Sequence, residues 1–483
     1  MKRKSFFVYN KNMFSHLLVT SEYSFYQSTI RLEDYVRYAK KLGYQSLVLS
    51  DHNVLSGHDR FSKLCAKEGI QAIFGMEMDV QIENSTVPFL ILAKDNQGYQ
   101  ELIRYSYQIS QTGSVSYDQL KNHSGHIHII VYGEGGLFDE ALLKGQRDIL
   151  EIQLTQFQED LRFFDVAISY NENQKFRECN VLLKQVCRAK NIPTVAISKV
   201  KYLASSEAKD FHVLELLGKK KTIHDPGVPV LVGRYFYSDE EIHQYYDDEE
   251  QERASSLAGE CHVDLTLFQT QLPKPFFLKD KDEKTYLKQL VFLGLQKRLQ
   301  TKEIPKAYLI RIQMEFNIVC EKRFERYFLI VYEAIRYARK QNLLIGPGRG
   351  SAVGSLMAYA MGISQIDPLK YGLLFERFLN PNRTKMPDID IDIASQDRPL
   401  LLNYLQKIYG YEHVALISTF HSLASVEVIQ ALCQCYALKE REARSLSLAV
   451  KKARAKYKID NLRVLQERDI ALQNAVKQSK ACQ

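Results

Sequence analysis

The sequence has no apolar stretch approaching the ~20 residues that a membrane-spanning helix needs, and its start offers too short an apolar run for a secretory signal. Its 8 cysteines form no CxxC pair and show no zinc-type spacing with the 12 histidines, which favours scattered reduced thiols. Internal repeats and low-complexity tracts are also absent. These absences argue against membrane, secreted disulfide-rich and repeat proteins, and predict a cytoplasmic globular protein.

The length of 483 residues is about three times the usual ~150 residues of a domain, which predicts two or three domains. A composition of 45% hydrophobic and 25% charged residues is typical of ordinary globular units. Residues 1–12 resemble an added leader, which leaves Met1 and Met13 as alternative initiators.

The net charge of +8 is concentrated near the carboxyl end. From Lys439 to Gln483 there are 12 Lys and Arg residues against 5 Asp and Glu residues. Such a segment fits a polyanionic partner, because Lys and Arg displace counterions from phosphates. A solvated helical face is the alternative interpretation of the stretch KKARAKYK.

The amino-terminal part alternates between helix and strand patterns as far as about Ser198. Apolar positions at helical spacing in IRLEDYVRYAKKLGY end at Gly43, and HDRFSKLCAKEG ends at Gly69. Apolar runs such as SLVLS, QAIFGMEMDV and PFLILAKD indicate strands. This alternation predicts an α/β fold, a barrel or a wound sheet, over residues 13–218.

After Lys219 the character of the chain changes. Turn signals and the acidic run YYDDEEQE indicate a linker or small subdomain over 219–272. Helical periodicity dominates residues 283–341, where we interpret the tyrosines and phenylalanines as core residues, and returns after Thr419.

LLIGPGRGSAVGSLMAYAMG predicts a strand, a turn with Gly346, Gly348 and Gly350, and a helix over 351–361. Such a turn allows backbone N–H groups to approach a phosphate closely, and Arg349 adds a charged fork. The sequence is neither a Walker loop nor a dinucleotide fingerprint. A purely structural glycine turn is an equally good interpretation of this segment alone.

MPDIDIDIA predicts a strand with Asp388, Asp390 and Asp392 on one face and isoleucines on the other. Carboxylates about 7 Å apart along a strand can converge on a pair of metal ions, and an oxygen-only set suits Mg²⁺. A solvated edge strand is the alternative. Between the two motifs, Arg377 and Arg383 could complement a triphosphate or a template backbone. Together, these elements indicate a nucleotidyl-transfer site.

The stretch GPGRGSAVGSLMAYAMGISQIDPLKYGLLFERFLNPNRTKMPDIDIDI closely resembles the palm of the bacterial family C replicative DNA polymerases. The resemblance implies a palm of the polymerase-beta-like nucleotidyltransferase type over 273–419. It also implies catalytic, Mg²⁺-binding roles for Asp388 and Asp390, and nucleotide binding by Arg349, Gly350, Ser351 and Arg377. It assigns no direct role to Asp392.

The amino-terminal region resembles the family's polymerase and histidinol phosphatase (PHP) domain, a distorted barrel that binds metal in some members. His16, Asp51, His52 and Glu77 are retained, but other positions depart from the metal-binding pattern. The departures are Leu18, Thr20, Phe89, Lys199 and Lys201. Because lysines repel a cation, we expect no metal and no nuclease activity there, and retained residues held by hydrogen bonds.

The resemblance implies a truncated helical thumb over 420–483, in which Lys451, Lys452, Arg454 and Lys456 face DNA. Arg383, in the palm, is a further candidate DNA-binding residue. The family's third catalytic aspartate, in a later K-x-D-x-L-G-L-type strand, has no counterpart here, so we expect this chain alone to be inactive. Implied partners are primer–template DNA, deoxynucleoside triphosphates and replisome subunits such as the sliding clamp, through regions absent here. A non-catalytic DNA- or replisome-binding fragment is the alternative, and a PHP-type phosphoesterase is a weaker one.

Overall fold

The computed structural model describes residues 14–133, 135–170, 174–268, 272–278, 281–380 and 386–479. The predicted leader and Arg383 lie outside these residues. The chain divides into two compact units. The first contains the described residues up to Phe268 and from Ser422 onward, and the second contains those in between.

The strands all belong to the first unit. They are β1 (Leu18–Val19), β2 (Ser46–Leu49), β3 (Gln71–Ile82), β4 (Ser85–Ala93), β5 (Val115–Ser116), β6 (Ile127–Tyr132), β7 (Asp165–Ile168), β8 (Thr194–Ala196) and β9 (Lys199–Val200). The main sheet has the order β2-β3-β4-β6-β7-β8, with β5 beside β3. The pairs β3–β4 and β4–β6 are antiparallel, whereas β2–β3, β6–β7 and β7–β8 are parallel.

A separate parallel pair, β1–β9, adjoins the edge of this sheet. The N–H of Ser50, just after β2, donates to Val19 O (3.0 Å), and Ser50 Oγ accepts from the Val19 N–H (3.0 Å). The strands thus form a curled, incomplete barrel, and the predicted α/β class is confirmed.

Both faces of the sheet are buried, which explains its continuous apolar strands. In β4, Phe89 and Ile91 pack into one hydrophobic cluster, whereas Leu90 and Leu92 pack into another. The first cluster also receives the apolar faces of the surrounding helices.

The helices of the first unit that precede the second unit surround the sheet. Around the sheet lie α1 (Leu32–Lys41), α2 (His58–Glu68), α3 (Asn96–Thr112), α4 (Tyr117–Lys121), α5 (Asp139–Leu143), α6 (Arg147–Asp160), α7 (Gln174–Ala189), α8 (Ala208–Gly218), α9 (Asp239–Ile242) and α10 (Asp248–Gly259). The predicted helix end at Gly69 is confirmed, with that glycine in the left-handed region (φ +69°).

The segment after α8 packs against the sheet. Tyr237, Tyr246 and Leu257 are buried in the second hydrophobic cluster of the sheet, and α10 lies against β8. Residues 235–261 are therefore an integral layer of the first unit.

The second unit is helical. Its helices are α11 (Glu283–Leu299), α12 (Lys306–Glu321), α13 (Glu325–Lys340), α14 (Leu356–Ala360) and α15 (Arg398–Tyr409). Helices α11 to α14 share one core, in which Phe328, Phe375 and Phe378 are fully buried.

The chain then returns to the first unit as α16 (Ser425–Cys435), α17 (Glu440–Tyr457), α18 (Leu462–Arg468) and α19 (Ile470–Gln478). These helices have their own core and contact α8 through α16. None of the helices in the described ranges is long and apolar enough to cross a membrane.

Candidate functional site

The glycine turn of the second unit joins α13 to α14. Gly348 (φ +107°) and Gly350 (φ +67°) adopt the left-handed region, where glycine is favoured. A 3-10 helix, Gly350–Gly354, follows the turn. The predicted single helix over 351–361 is wrong, because Ser355 is extended and its hydroxyl accepts from the Ala358 N–H (3.1 Å), so α14 begins afresh at Leu356.

The acidic segment lies directly against this turn. Ile345 and Ile393 form an isolated antiparallel bridge, and the Gly346 N–H donates to Asp392 O (2.9 Å). The predicted strand over 386–394 is wrong beyond this bridge. Across the described residues, its backbone pairs with the short segment 344–346, and Ile389 N–H instead donates to Tyr327 Oη (3.1 Å). The segment is extended and anchored, but it has no ladder of strand hydrogen bonds.

Arg349 joins two of the carboxylates. Its Nε lies 2.9 Å from Asp392 Oδ1, and its Nη2 lies 3.5 Å from Asp390 Oδ1. All three side chains are substantially exposed, and Asp388 is exposed as well. Asp390 and Asp392 thus share a side, where Arg349 neutralises them.

Glycine is required where the turn meets Asp390. A Cβ placed on Gly350 would stand 2.5 Å from Asp390 Oδ2, and one on Gly346 would stand 3.0 Å from Asp392 Cβ. The glycines therefore bring the backbone into contact with the carboxylates.

The predicted metal ligands fit Mg²⁺ by their donor chemistry. Asp388 and Asp390 offer only oxygen donors, which hard divalent cations prefer. In this structure Asp390 is paired with the Arg349 guanidinium. Among the described residues, no group of three or more His, Cys, Asp or Glu side chains is arranged to hold a metal.

The remaining predicted nucleotide-binding residues are near the turn. Ser351 is half-buried in the 3-10 helix Gly350–Gly354. Arg377 is exposed at the end of a second 3-10 helix, Phe375–Arg377, which contacts the first. The turn therefore brings Arg349, Gly350, Ser351 and Arg377 into one region of the second unit.

A buried carboxylate binds the start of α14, directly after the turn, and our sequence reasoning missed it. Glu315 of α12 is fully buried and accepts from Ser355 Oγ (2.9 Å) and from the Leu356 and Met357 N–H groups (2.9 and 3.0 Å). Arg311 donates to Glu315 (2.7 Å) and to Gly354 O (2.8 Å). The available signal was an Arg and Glu pair at i, i+4 on an otherwise apolar helix.

In the first unit, the retained PHP-type residues are bound to protein groups. Asp51 accepts from the Ser21 N–H (2.7 Å), Ser21 Oγ (2.8 Å) and Ser24 Oγ (2.8 Å). Burial raises the pKa of Asp51, although these hydrogen bonds and the positive charge of Lys201 act in the opposite direction. The carboxylate is therefore embedded in a hydroxyl network.

His52, Glu77 and His16 are bound in the same way. The hydrogen bond from His52 Nε2 (3.1 Å) lowers the pKa of Asp79, and Glu77 accepts from Tyr132 Oη (3.1 Å). His16 contacts Ser198 Oγ (2.5 Å) and Tyr237 O (3.0 Å). Lys199 Nζ lies 4.6 Å from the centre of the Tyr132 ring.

The predicted DNA-binding side chains of α17 are exposed. Arg454 pairs with Asp460 (2.9 Å), and Lys456 lies 3.5 Å from Asp469. No carboxylate of the described residues lies within 4.0 Å of the Lys451 or Lys452 ammonium group, so neither charge is paired within the described part of the chain.

Two family models match the chain. Residues 16–172 match the PHP domain, and residues 285–483 match the bacterial DNA polymerase III alpha NTPase domain. A match to the PHP domain thus precedes a match to the polymerase III alpha NTPase domain along the chain.

Curated relatives named DNA polymerase III subunit alpha align with most of the chain. The DNA polymerase III subunit alpha of Bacillus subtilis (strain 168) is 33% identical over 444 residues, and that of Rickettsia bellii (strain RML369-C) is 31% identical over 461 residues. Each alignment covers 90% of this chain and 39% of the relative. The chain belongs to the bacterial DNA polymerase III alpha family, and it spans about two fifths of the length of these relatives.

Solved structures show weaker likeness. A putative metal-dependent phosphoesterase from Bifidobacterium adolescentis has a TM-score of 0.29 and 14% identity, covering 48% of this chain and 94% of its own. An amidohydrolase from Chromobacterium violaceum has a TM-score of 0.30 and 11% identity, covering 39% and 87%. Scores this low establish no common fold.

Proposed function

We propose that the second unit carries part of a DNA polymerase active site, which transfers a deoxynucleotide to a primer 3′-hydroxyl. The observation that supports this most directly is the contact between the glycine turn and the acidic segment. A Cβ added at Gly350 would stand 2.5 Å from Asp390 Oδ2 and would displace that carboxylate, so the backbone of the turn and the acidic side chain adjoin each other.

The proposed roles follow from the chemistry of each group. The backbone at Gly350 and Ser351, with Arg349 and Arg377, binds the triphosphate and orients its α-phosphate. Asp388 and Asp390 bind Mg²⁺, which when present neutralises charge on the phosphates and lowers the pKa of the attacking hydroxyl. Arg349 must release Asp390 and Asp392 in order to bind the nucleotide, because its guanidinium now pairs with both.

The proposal extends to the domains and partners. Residues 13–218 form a PHP-type domain without metal, 219–272 a linker or subdomain, 273–419 the first part of the palm and 420–483 a thumb. The partners are primer–template DNA, deoxynucleoside triphosphates and other replisome subunits, and the location is cytoplasmic. Members of this family are expected to require Mg²⁺.

Nucleotide binding tests the site directly. Titration calorimetry of the full chain with dATP should show Mg²⁺-dependent binding that Asp390→Asn weakens at least about tenfold, equivalent to about 1.4 kcal/mol. Glu376→Gln, an exposed acidic residue beside Arg377, serves as the control and should bind normally. Equal binding by all three proteins would refute the assignment of Asp390.

Primer extension tests activity separately. Asp388 and Asp390 correspond to two of the three carboxylates that the resemblance implies, so we expect no extension by the 483-residue chain. Incorporation that Asp388→Ala abolishes would refute this inactivity while supporting the site.

The basic helix favours a second candidate role, DNA binding without catalysis. Substituting Lys451→Gln together with Lys452→Gln should weaken duplex binding and lower the slope of log K against log salt by about 2, since each phosphate contact contributes about 0.9. Fluorescence anisotropy at several salt concentrations measures this. The control is Lys41→Gln with Lys67→Gln, two exposed lysines elsewhere in the first unit. An unchanged slope would leave α17 as a solvated helical face.

A further inference from the structure

A cavity lies in the second unit, beside the glycine turn. It has a volume of about 860 Å³ and is bounded by α11, α13, α14 and the turn residues Ile345 and Gly346. Four cationic side chains line it, and no acidic side chain does. They are Lys297, Arg298, Arg336 and Arg339.

Three of these cations lack a carboxylate partner. Arg336 pairs with the buried Glu333 (2.7 Å). Within the described part of the chain, no carboxylate pairs with Lys297, Arg298 or Arg339. The cavity therefore holds an excess of positive charge.

Arg298 and Arg339 border the same point of the chain. An added Cβ on Gly362 would lie 2.5 Å from Arg339 Nη1 and 3.3 Å from Arg298 Nη2. Arg339 donates to Gly362 O, and Arg298 donates to Ser364 O (3.2 Å) and Gln365 Oε1 (2.7 Å). These three bonds use only part of the five N–H donors that each guanidinium carries, and the Arg298 guanidinium also lies 4.9 Å from the centre of the Tyr359 ring.

Two neighbouring guanidinium groups without a counter-charge are unfavourable. Burial, and then the charge of Arg298, lower the pKa of Arg339. An anion between them would remove the repulsion and accept the remaining hydrogen bonds. A phosphate matches the arginine forks better than a halide, because it offers several oxygens in fixed geometry.

The cavity differs from the acidic site in its charge and its residues. Gly346 lines the cavity and also contacts Asp392, so the two features adjoin each other. None of Asp388, Asp390 and Asp392 lines the cavity. The lining of the cavity therefore does not favour a nucleotide that binds through a metal ion.

We propose that this cavity binds a phosphate group between Arg298 and Arg339, with Lys297 at its rim. The phosphate belongs either to a free small molecule or to the backbone of a nucleic acid strand. The binding needs no divalent cation, because the protein itself supplies the neutralising charge.

Binding in the presence of EDTA tests the proposal separately from the acidic site. The full chain is titrated with sodium pyrophosphate, and in a second arm with a single-stranded oligonucleotide. Lys297→Gln should weaken binding of one of these probes about tenfold, as expected for the loss of one charge-assisted contact. Lys288→Gln is the matched control, because Lys288 is exposed on the same helix and does not line the cavity.

Arg339→Lys provides a second variant that retains the charge but removes the fork. It should weaken the same probe, and circular dichroism verifies that it folds. If the two substitutions weaken pyrophosphate binding, the ligand is a free phosphate compound. If they weaken only oligonucleotide binding, the ligand is the backbone of a nucleic acid strand. No binding of either probe in EDTA, or equal weakening by Lys288→Gln, would overturn the proposal. A failure of Mg²⁺-dependent dATP binding would count only against the acidic site.

Discussion

Gly350 combines a left-handed backbone conformation with a close approach to Asp390, and a side chain would disfavour both. Its φ of +67° is unfavourable for other residues, and a Cβ would stand 2.5 Å from Asp390 Oδ2. Gly372, in the same unit, has a similar φ of +62° but no atom within 4 Å of an added Cβ. The pair allows backbone strain to be separated from contact with the carboxylate.

Gly350→Ala should abolish Mg²⁺-dependent dATP binding, whereas Gly372→Ala should retain it. Both variants should lose about 1 kcal/mol of unfolding free energy from the left-handed backbone, and Gly350→Ala should lose more because Asp390 must move. Titration calorimetry and urea denaturation measure the two effects. Normal nucleotide binding by Gly350→Ala would show that the contact has no role in the site.

Sequence patterns identified the two segments of the candidate site but did not predict how these segments contact each other. The glycine spacing and the alternating aspartates identified the two segments that the structure brings together. The ion pairs of Arg349 could not be predicted, because they depend on the turn and the acidic segment meeting across 40 residues of chain. Glu315 was missed for a related reason, since its partners are backbone N–H groups of another helix.

At the scale of elements, α10 shows how an acidic run can belong to a folded layer. The run YYDDEEQE indicated a linker or small subdomain, and Glu250 within it is buried and lies 2.8 Å from Lys184 Nζ. Asp165 at the start of β7 is also buried and accepts two hydrogen bonds from Arg253 (2.6 and 3.0 Å). Charge patterning could not reveal these contacts, because both partners come from distant elements.

Arg253→Leu should therefore destabilise the first unit by about 3 to 5 kcal/mol, since it leaves Asp165 buried and unpaired. Adding Asp165→Leu should recover much of that loss. The control Arg188→Leu, in an exposed pair with Glu249 (3.7 Å), should change stability by less than about 1 kcal/mol. Urea denaturation with far-UV circular dichroism measures all three, and an unaffected Arg253→Leu would show that α10 is not held by this pair.

At the scale of the whole molecule, buried histidines link stability to pH. Burial lowers the pKa of both His16 and His58 to about 3. His58 packs against the rings of Phe74 (5.1 Å) and Tyr99 (5.7 Å), an apolar setting that disfavours a charged imidazole. Both side chains are neutral in the folded protein at pH 5.5, whereas unfolded histidines bind protons below about pH 6.5.

Stability should accordingly be greatest above pH 6.5 and fall as the pH decreases toward 3, because the unfolded state then binds more protons. Each histidine contributes a slope of about 1.4 kcal/mol per pH unit in that window. His58→Leu should reduce the slope between pH 6 and pH 5 by this amount, while the exposed His224→Leu should leave it unchanged. Urea denaturation across that pH range measures the slope, and an identical slope in wild type and His58→Leu would mean that His58 does not resist protonation in the folded state.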